Sequence, residues 1–581
     1  MYGGQYPSRP PDGVPYTRPD ISDWIVVLFG KLYFLPHSGK HRLPTCTEVF
    51  RMRGTNSTKQ WTRGGLPPLG SALPLLGVLS ALSGCAVGPD FTKPEVTVPR
   101  EWRTYDDPKI STQAAVDAEW WKAFGDPTLD RLVELAYRQN LPLQIAGLRI
   151  VEARAQLGIV TGQQYPQLQV AAGRATAVGL SENAANVATL DRHYLDYQVG
   201  FDAIWELDFW GKYRRGVEAG TAGLLASVAD YQSALVLLTA EVARTYVVIR
   251  TFEVLIELAR ENVRLQEEGL QIAESRFRNG ATSELDVAQA ATLLESTRAT
   301  IPQLETGLEQ ARNALSTLLG QPTGAVEALL MGPKQIPQAP TTVAVGVPAE
   351  VLRRRPDVRS AELYAAAQCA RIGIAEAELY PSFSLFGTIG LQASSSGSPS
   401  ANLFSLSSLA YSIGPRIVWP FLNYGRLENG VRVEDARFQQ LLVDYRNTVL
   451  RAAQEVADAL TGFVNAQKAM AFEQAAVKAA QRSVEISVVQ YREGAVDYQR
   501  VLDAQRSLLQ QQNNLAQTSS SIATYLVALY KALGGGWEVR QGQPVVPEQM
   551  QSEMEARTDW GDMLSQPREP EPPKSSPPEK H

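Results

Sequence analysis

The sequence is poor in the residues that build metal cages and disulfide frameworks. Its 581 residues include three cysteines, Cys46, Cys85 and Cys369, and four histidines. If Cys85 is modified and Cys46 is removed, only Cys369 is left, and no intrachain disulfide framework is then possible. Only His193, in a strand-adjacent loop, falls inside the expected folded body. That argues against a His/Cys metal site and leaves carboxylate-only sites open. The seven methionines form no cluster suited to Cu(I). A net charge of −6 offers no basic footprint for nucleic acid. No Gly-rich loop opens a helix after a strand, and no Ser/His/Asp arrangement is present, so neither an enzyme nor a bound cofactor is expected. Proline is missing where it matters for shape. None occurs between Pro166 and Pro302 or between Pro420 and Pro544, which leaves room for very long helices.

What is there begins with an export signal set far from Met1. From Met52, "MRGTNSTKQWTRGG" supplies Arg53, Lys59 and Arg63 with no acidic residue, the n-region of a secretory signal. Leu66 to Leu82 is the apolar h-region, broken by Pro67, Pro68 and Pro74 and too short to span a bilayer. It ends at Leu82-Ser83-Gly84-Cys85, which resembles the lipobox of bacterial lipoproteins. The resemblance implies a signal over 52–84 and a mature chain starting at Cys85, with a covalent lipid there and no other cofactor. Ala86 follows instead of an inner-membrane-retaining Asp, which favours outer-membrane lipid. Residues 1–51 read as an upstream extension outside the fold.

The body repeats itself. A shift of 214 residues places Trp205 on Trp419, Gly211 on Gly425, "EVA" (241–243) on "EVA" (455–457), "RFRNGA" (276–281) on "QYREGA" (490–495) and Leu319-Gly320 on Leu533-Gly534. One further residue of offset places Tyr165-Pro166 on Tyr380-Pro381. This organises the chain as an N-terminal segment (85–127), a first repeat (128–320), a linker (321–349), a second repeat (350–537) and a Pro/Glu-rich tail (538–581) expected to be disordered.

Each repeat has the same order. A hairpin, at about 166–206 and about 381–420, follows the Tyr-Pro pair. In its second strand Tyr197, Val199, Phe201, Ala203 and Trp205 alternate with Gln198, Gly200, Asp202 and Ile204. In the copy, Leu409, Tyr411, Ile413, Ile417 and Trp419 face away from Ser412, Gly414 and Arg416. Long helices follow, from Lys212 to about Arg278 and from about Tyr424 to Arg492, each on the order of 100 Å at 1.5 Å per residue. Leu224, Val228, Tyr231, Leu235, Leu238, Val242 and Tyr246 form an apolar stripe at coiled-coil-like spacing. Shorter helices are expected at about 128–163, 282–319, 356–378 and 496–533, with Cys369 as a small core residue.

Four strands with an apolar face cannot stand alone in lipid, because the open edges leave backbone groups unpaired. Single-chain membrane barrels start at about eight strands. Copies must therefore share a barrel, eight strands in a dimer or twelve in a trimer. Trp205 and Trp419, at equivalent strand ends, suit a membrane-interface girdle.

Together "CAVGPDFTKP" (85–94), "WWKAFGDPTLDRLV" (120–133), the twin Tyr-Pro starts, "QYREGAVDYQRVLDAQRSLL" (490–509) and "YKALGGGW" (530–537) resemble the outer-membrane efflux channel family, in its TolC-like, NodT-type lipoprotein branch. The resemblance covers about 85–537. It implies a mainly α fold with a small membrane β part: a tandem-duplicated α-helical barrel in the periplasm below a shared twelve-stranded trimeric β-barrel. The implied role is the passive exit duct of a tripartite efflux system for small molecules such as drugs or other toxic compounds. The implied partners are two further copies, a periplasmic adaptor and an inner-membrane pump of the resistance-nodulation-division type. The helix tips turning at Gly280 and Gly494 would dock the adaptor. Asp503 would line the constriction with Arg506 one turn on, and Asp286 would hold Tyr491 as a latch. Gln499 and Arg500 depart from the apolar or acidic residues often found there. Two alternatives remain open: an exit duct for protein or peptide secretion, and a non-conducting coiled-coil lipoprotein tether.

Overall fold

The computed structural model describes residues 86–98, 102, 107–111, 118–183, 191–346, 348–396 and 402–564. The chain divides into two units, Met1–Pro74 and Leu75–His581, and every described residue belongs to the second. The upstream extension, the signal, Cys85 and residues 565–581 lie outside the described residues.

The fold is mainly α with one small membrane-type sheet. A two-residue strand β1 (Ile110–Ser111) and a 3-10 turn (Trp120–Phe124) lead into α1 (Pro127–Gln139) and α2 (Leu141–Gly162). Strands β2 (Leu168–Gly179) and β3 (His193–Leu207) follow, then the long α3 (Lys212–Arg278) and α4 (Glu284–Leu318). A linker carrying β4 (Val343–Ala344), which pairs in parallel with β1, leads to the second copy: α5 (Pro348–Arg354), α6 (Pro356–Ala377), β5 (Ser382–Ser394), β6 (Leu409–Val418), α7 (Arg426–Arg492) and α8 (Tyr498–Ala532). His193 is the exposed first residue of β3, not part of a loop.

The stretch read as one helix over 128–163 is two. Asn140 breaks it with ψ 120°, and its side-chain oxygen accepts from Leu143 N–H at 2.8 Å, capping α2. Pro142 sits in the first turn, where its missing N–H costs nothing. The Asn140 amide also donates to Leu318 O at 2.8 Å. At the matching place in the second repeat, Arg355 donates to Ala532 O at 2.8 Å. Both repeats thus tie the foot of the short helix to the end of the returning one.

The helical stripe packs as its spacing demands. Leu224, Tyr231, Leu235, Leu238, Val242 and Tyr246 are buried in the main core with Trp120, Leu129, Leu315, Leu526 and Leu533. One window of α3 is apolar enough to cross a membrane by composition, yet most of it is buried among neighbouring helices. Arg250, 1% exposed, lies inside this core. It pairs with Glu253 at 2.7 Å, donates to the Tyr246 hydroxyl at 3.0 Å and to Leu330 O at 3.0 Å. Tyr246 in turn donates to Asp126, the N-cap of α1, at 2.6 Å. A buried charge survives only when fully paired, and this one joins α3, the linker and α1.

The sheet runs β2-β3-β5-β6, antiparallel throughout. Its register sorts the faces. Ala171, Phe201 and Ile389 line up across one face with Tyr411, while Val170, Asp202, Thr388 and Ser412 line up across the other. One face is therefore apolar and exposed, the other largely polar. Among the described residues the outer edges of β2 and β6 have no partner strand.

The tail is a correction. Residues 538–564 are ordered, with a turn at Glu538–Arg540, helix α9 (Glu548–Glu555) and a turn at Gly561–Met563. Val546, Met554 and Leu564 close over Val151 of α2. The Pro/Glu-rich composition belongs to the stretch after Leu564, whereas 538–564 carries enough apolar side chains to pack. The fit is close: a Cβ on Gly147 would overlap the Val545 carbonyl. Gly147→Ala is expected to lower stability by about 1–3 kcal/mol through overpacking. Gly162→Ala, which meets nothing within 4 Å, should be neutral or stabilising by at most about 1 kcal/mol. Denaturant or thermal unfolding of the two variants measures the difference.

Candidate functional site

Two regions carry the residues of interest: the tips where the long helices turn, and the junction where strands meet helices.

Both tips close with the same hydrogen bonds. Gly280 (φ 68°) and Gly494 (φ 78°) adopt left-handed backbone. The N–H groups of Ala281 and Ala495 reach back to the carbonyls of Arg276 and Gln490 at 2.8 Å. This Schellman closure favours glycine at the left-handed position. Both turns are exposed. Behind them Ala273, Ala290, Leu293, Tyr491, Tyr498, Val501 and Leu502 make a small core separate from the main one.

Across that core the two tips are joined. The Tyr491 hydroxyl donates to Asp286 Oδ2 at 3.1 Å, and the Thr282 hydroxyl donates to the same oxygen. Arg276 lies over the Tyr491 ring, 4.8 Å from its centroid. It donates to the Tyr491 carbonyl, and to Arg492 O at 3.1 Å. These carbonyls end a helix, where Tyr491 O also accepts from Gly494 N–H at 3.0 Å and where the helix dipole favours a cation. The Tyr491 ring meets Tyr498 edge-on at 5.0 Å. Burial, with the Asp286 charge beside it, raises the Tyr491 pKa.

Sequence reasoning named Asp286 and Tyr491 but missed Arg276. The signal was present in the repeat comparison, since Arg276 falls on Gln490. The same comparison sets Asp286 against Arg500 and Tyr491 against Phe277, which lacks the hydroxyl and is 44% exposed where Tyr491 is 2% exposed. One ordering of the tips can therefore form this network and the other cannot.

Asp503 and Arg506 lie apart from the network on an exposed face of α8. Asp503 accepts from Gln499 at 2.9 Å. Arg506 forms no ion pair with Asp503 or with any other described residue.

At the other end, Trp205 Nε1 donates to Gln164 O at 3.2 Å and Trp419 Nε1 to Leu379 O at 3.0 Å, repeat-equivalent bonds. The indole rings stay exposed at the rim of the apolar face. Trp210 stacks on Tyr380, with centroids 4.6 Å apart, and donates to Pro381 O at 2.8 Å. The first described N-terminal residues meet this junction. Val87 N–H donates to Trp210 O at 3.0 Å, and the Ala86 methyl packs against Gly211. Buried Arg215 then holds Val87 O at 3.2 Å, Gly88 O at 3.1 Å and Asp90 at 2.8 Å. Among the described residues no His/Cys/Asp/Glu group could hold a metal ion.

Comparison with known proteins agrees with this architecture. The family model for outer membrane efflux protein matches residues 132–321 and 347–535. Nodulation protein T of Rhizobium leguminosarum bv. trifolii is 31% identical over 78% of this chain and 95% of its own length. The pyoverdine export outer membrane protein OpmQ of Pseudomonas putida is 31% identical over 76% of this chain and 93% of its own. The solved outer-membrane channel OprN superposes with a TM-score of 0.73 at 32% identity, covering 78% of this chain and all of that one.

The tip network has a pH signature. A raised tyrosine pKa means that its stabilising contribution is complete below about pH 10, the unperturbed value, and is lost as pH climbs through the higher folded-state value. Tyr491→Phe keeps the ring and loses the bond to Asp286, costing about 1 kcal/mol. Amide exchange at the tip should quicken about fivefold in the variant near neutral pH. Above pH 10 the wild type should loosen beyond the intrinsic rise in exchange rate, and the variant should do so less, since only Tyr498, whose pKa burial also raises, still titrates in that core.

Proposed function

This chain belongs to the outer membrane efflux protein family and is an outer-membrane efflux channel, not an enzyme; we propose that it works as a homotrimeric, lipid-anchored exit duct for small molecules. The observation that carries the reading is the four-stranded sheet, apolar on its exposed face and open at both edges, continuing into helices of 67 residues. Three copies close the edges into twelve strands. The polar faces of the strands then line a lumen, and the helices prolong it through the periplasm.

The lipid on Cys85 fits this placement. Ala86 packs at the strand–helix junction, at the end of the sheet where Trp205 and Trp419 lie, so an acyl chain on the preceding residue would reach the leaflet that the tryptophans border. Partners follow from the opposite end. The turns at Gly280 and Gly494 offer exposed backbone to a periplasmic adaptor, which couples the duct to an inner-membrane pump of the resistance-nodulation-division type.

In the resting duct, Asp286, Tyr491 and Arg276 hold the tips of one protomer together as the latch. Asp503, repeated three times around the axis, forms a negative throat that favours cations, with Arg506 one turn deeper. Adaptor binding shifts the population to open tips by offering these groups contacts they lack when closed. The duct itself does no work on its cargo; the pump supplies the energy.

The test is single-channel conductance of the purified mature protein in planar bilayers. Wild type should pass small, steady currents, and Asp286→Ala/Tyr491→Ala should pass larger ones. Equal currents would remove the latch and keep the duct. Insertion of both as oligomers without current would favour the tether instead. Asp503→Asn should reduce cation preference at the reversal potential, and an unchanged preference would move the constriction elsewhere.

A further inference from the structure

The short helices α2 and α6 each carry a terminal segment of the chain on the same face, at positions 215 residues apart. On α6, Gly88 packs against Gly373, the Cys369 thiol donates to Pro89 O at 3.5 Å, Phe91 packs beside Ala366, and Lys93 pairs with Glu362. On α2, the Met563 methyl lies over Gly158, and Arg154 donates to Met563 O at 3.1 Å. Val546, Met554 and Leu564 cover Val151, and the Val545 carbonyl lies on Gly147. Gly158, Arg154, Val151 and Gly147 are the counterparts of Gly373, Cys369, Ala366 and Glu362. Each helix leads into the first strand of a hairpin, α2 into β2 and α6 into β5. The C-terminal segment thus fastens the foot of the first hairpin as the N-terminal segment fastens that of the second.

The two fastenings differ in chemistry. The N-terminal one rests on glycine contact, an ion pair and the bonds of Arg215. Its thiol, Cys369, is buried, and burial pushes it up to about 11, which leaves almost no reactive thiolate. The C-terminal one is held by methionine. Of the five methionines that follow Cys85, Met550, Met554 and Met563 all lie in this segment. Met550 and Met554, four apart on α9, share the face that packs toward Leu148 and Val151. Met554 is buried, Met550 partly buried, and Met563 39% exposed. A thioether packs like hydrocarbon, whereas its sulfoxide is polar and needs hydrogen-bond partners that Leu148 and Val151 do not offer.

We propose that residues 545–564 are an oxidation-sensitive clasp, opened by a two-electron oxygen donor such as hydrogen peroxide. Met563, the most exposed of the three, reacts first and Met550 next. The sulfur lone pair attacks a peroxide oxygen, the O–O bond breaks, and the proton of the transferred oxygen passes to the departing hydroxide. The sulfide becomes a sulfoxide, and the peroxide is reduced to water. The sulfoxides release the segment from α2 and free the helix that feeds β2. Methionine sulfoxide reductases, which use a dithiol as reductant, remove the oxygen and let the clasp close again. The foot of the second hairpin, fastened without methionine, stays fixed.

Hydrogen exchange of the purified full mature lipoprotein, before and after hydrogen peroxide, tests this, with the oxidised residues located by peptide mass. After oxidation the amides of 147–158 should exchange about tenfold faster, and those of 362–373 at an unchanged rate. The two methionine sulfoxide reductases together should reverse the change. Met331, 75% exposed and outside the clasp, reports that the oxidant acted. Met550→Leu/Met554→Leu/Met563→Leu keeps the apolar volume, and its 147–158 amides should stay protected in peroxide. Met563→Leu alone should slow the release. Oxidation of Met331 without oxidation of Met550 or Met563 overturns the proposal. So does an oxidised clasp over a 147–158 segment that is still protected. Release in the leucine variants as fast as in the wild type would place the sensitive group elsewhere and overturn it too.

Discussion

The two open edges of the sheet are the constraint on which the rest of the molecule depends. In water an unpaired strand edge is a modest liability; in hydrocarbon each unpaired peptide group costs several kcal/mol. The described residues contribute four strands to that sheet, β2, β3, β5 and β6, and the proposed ring of copies is what would close their edges. The alternation of Tyr197, Val199 and Phe201 with Gln198, Gly200 and Asp202 has the same cause, because one face meets lipid and the other meets water. So does the antiparallel register that keeps Phe201, Ile389 and Tyr411 on one side.

Duplication supplies most of the architecture, and its breaches mark where the two copies do different work. Asn140 and Arg355 reach equivalent carbonyls with different chemistry. Trp205 and Trp419 make the same bond. At the tips the likeness stops. Arg276, Asp286 and Tyr491 form a connected network, while their counterparts Gln490, Arg500 and Phe277 lack the means to build one. A protein of six identical units would have six identical tip contacts, whereas a duplicated chain can make alternate contacts strong and weak.

Much of this was legible in the sequence because it rests on periodicity and on single residues with rigid geometry. The helix limits at Lys212, Arg278 and Arg492 match the structure because Gly211, Gly280 and Gly494 mark them with left-handed backbone. The contact between Asp286 and Tyr491 was expected from resemblance, and the geometry brings the two side chains together. Three features were not legible. The break at Asn140 interrupts an otherwise helical pattern and depends on a long-range bond to Leu318. The order of 538–564 depends on a groove along α2 that composition does not reveal. Arg276 acts through backbone carbonyls more than 200 positions away in sequence, and carbonyls leave no trace in a residue pattern.

The long helices α3 and α7 have 67 residues each, and the returning helices α4 and α8 have 35 each. One added residue lengthens a helix by about 1.5 Å and turns everything beyond it by about 100°. An insertion in one repeat would carry its tip out of level with the other and rotate Arg276 or Tyr491 away from its partner. Length is thus inherited jointly. Gains and losses of residues along this body are tolerable in evolution only when both repeats, and both arms of each, change together, so the depth to which the protein reaches is far harder to alter than the residues along its surface.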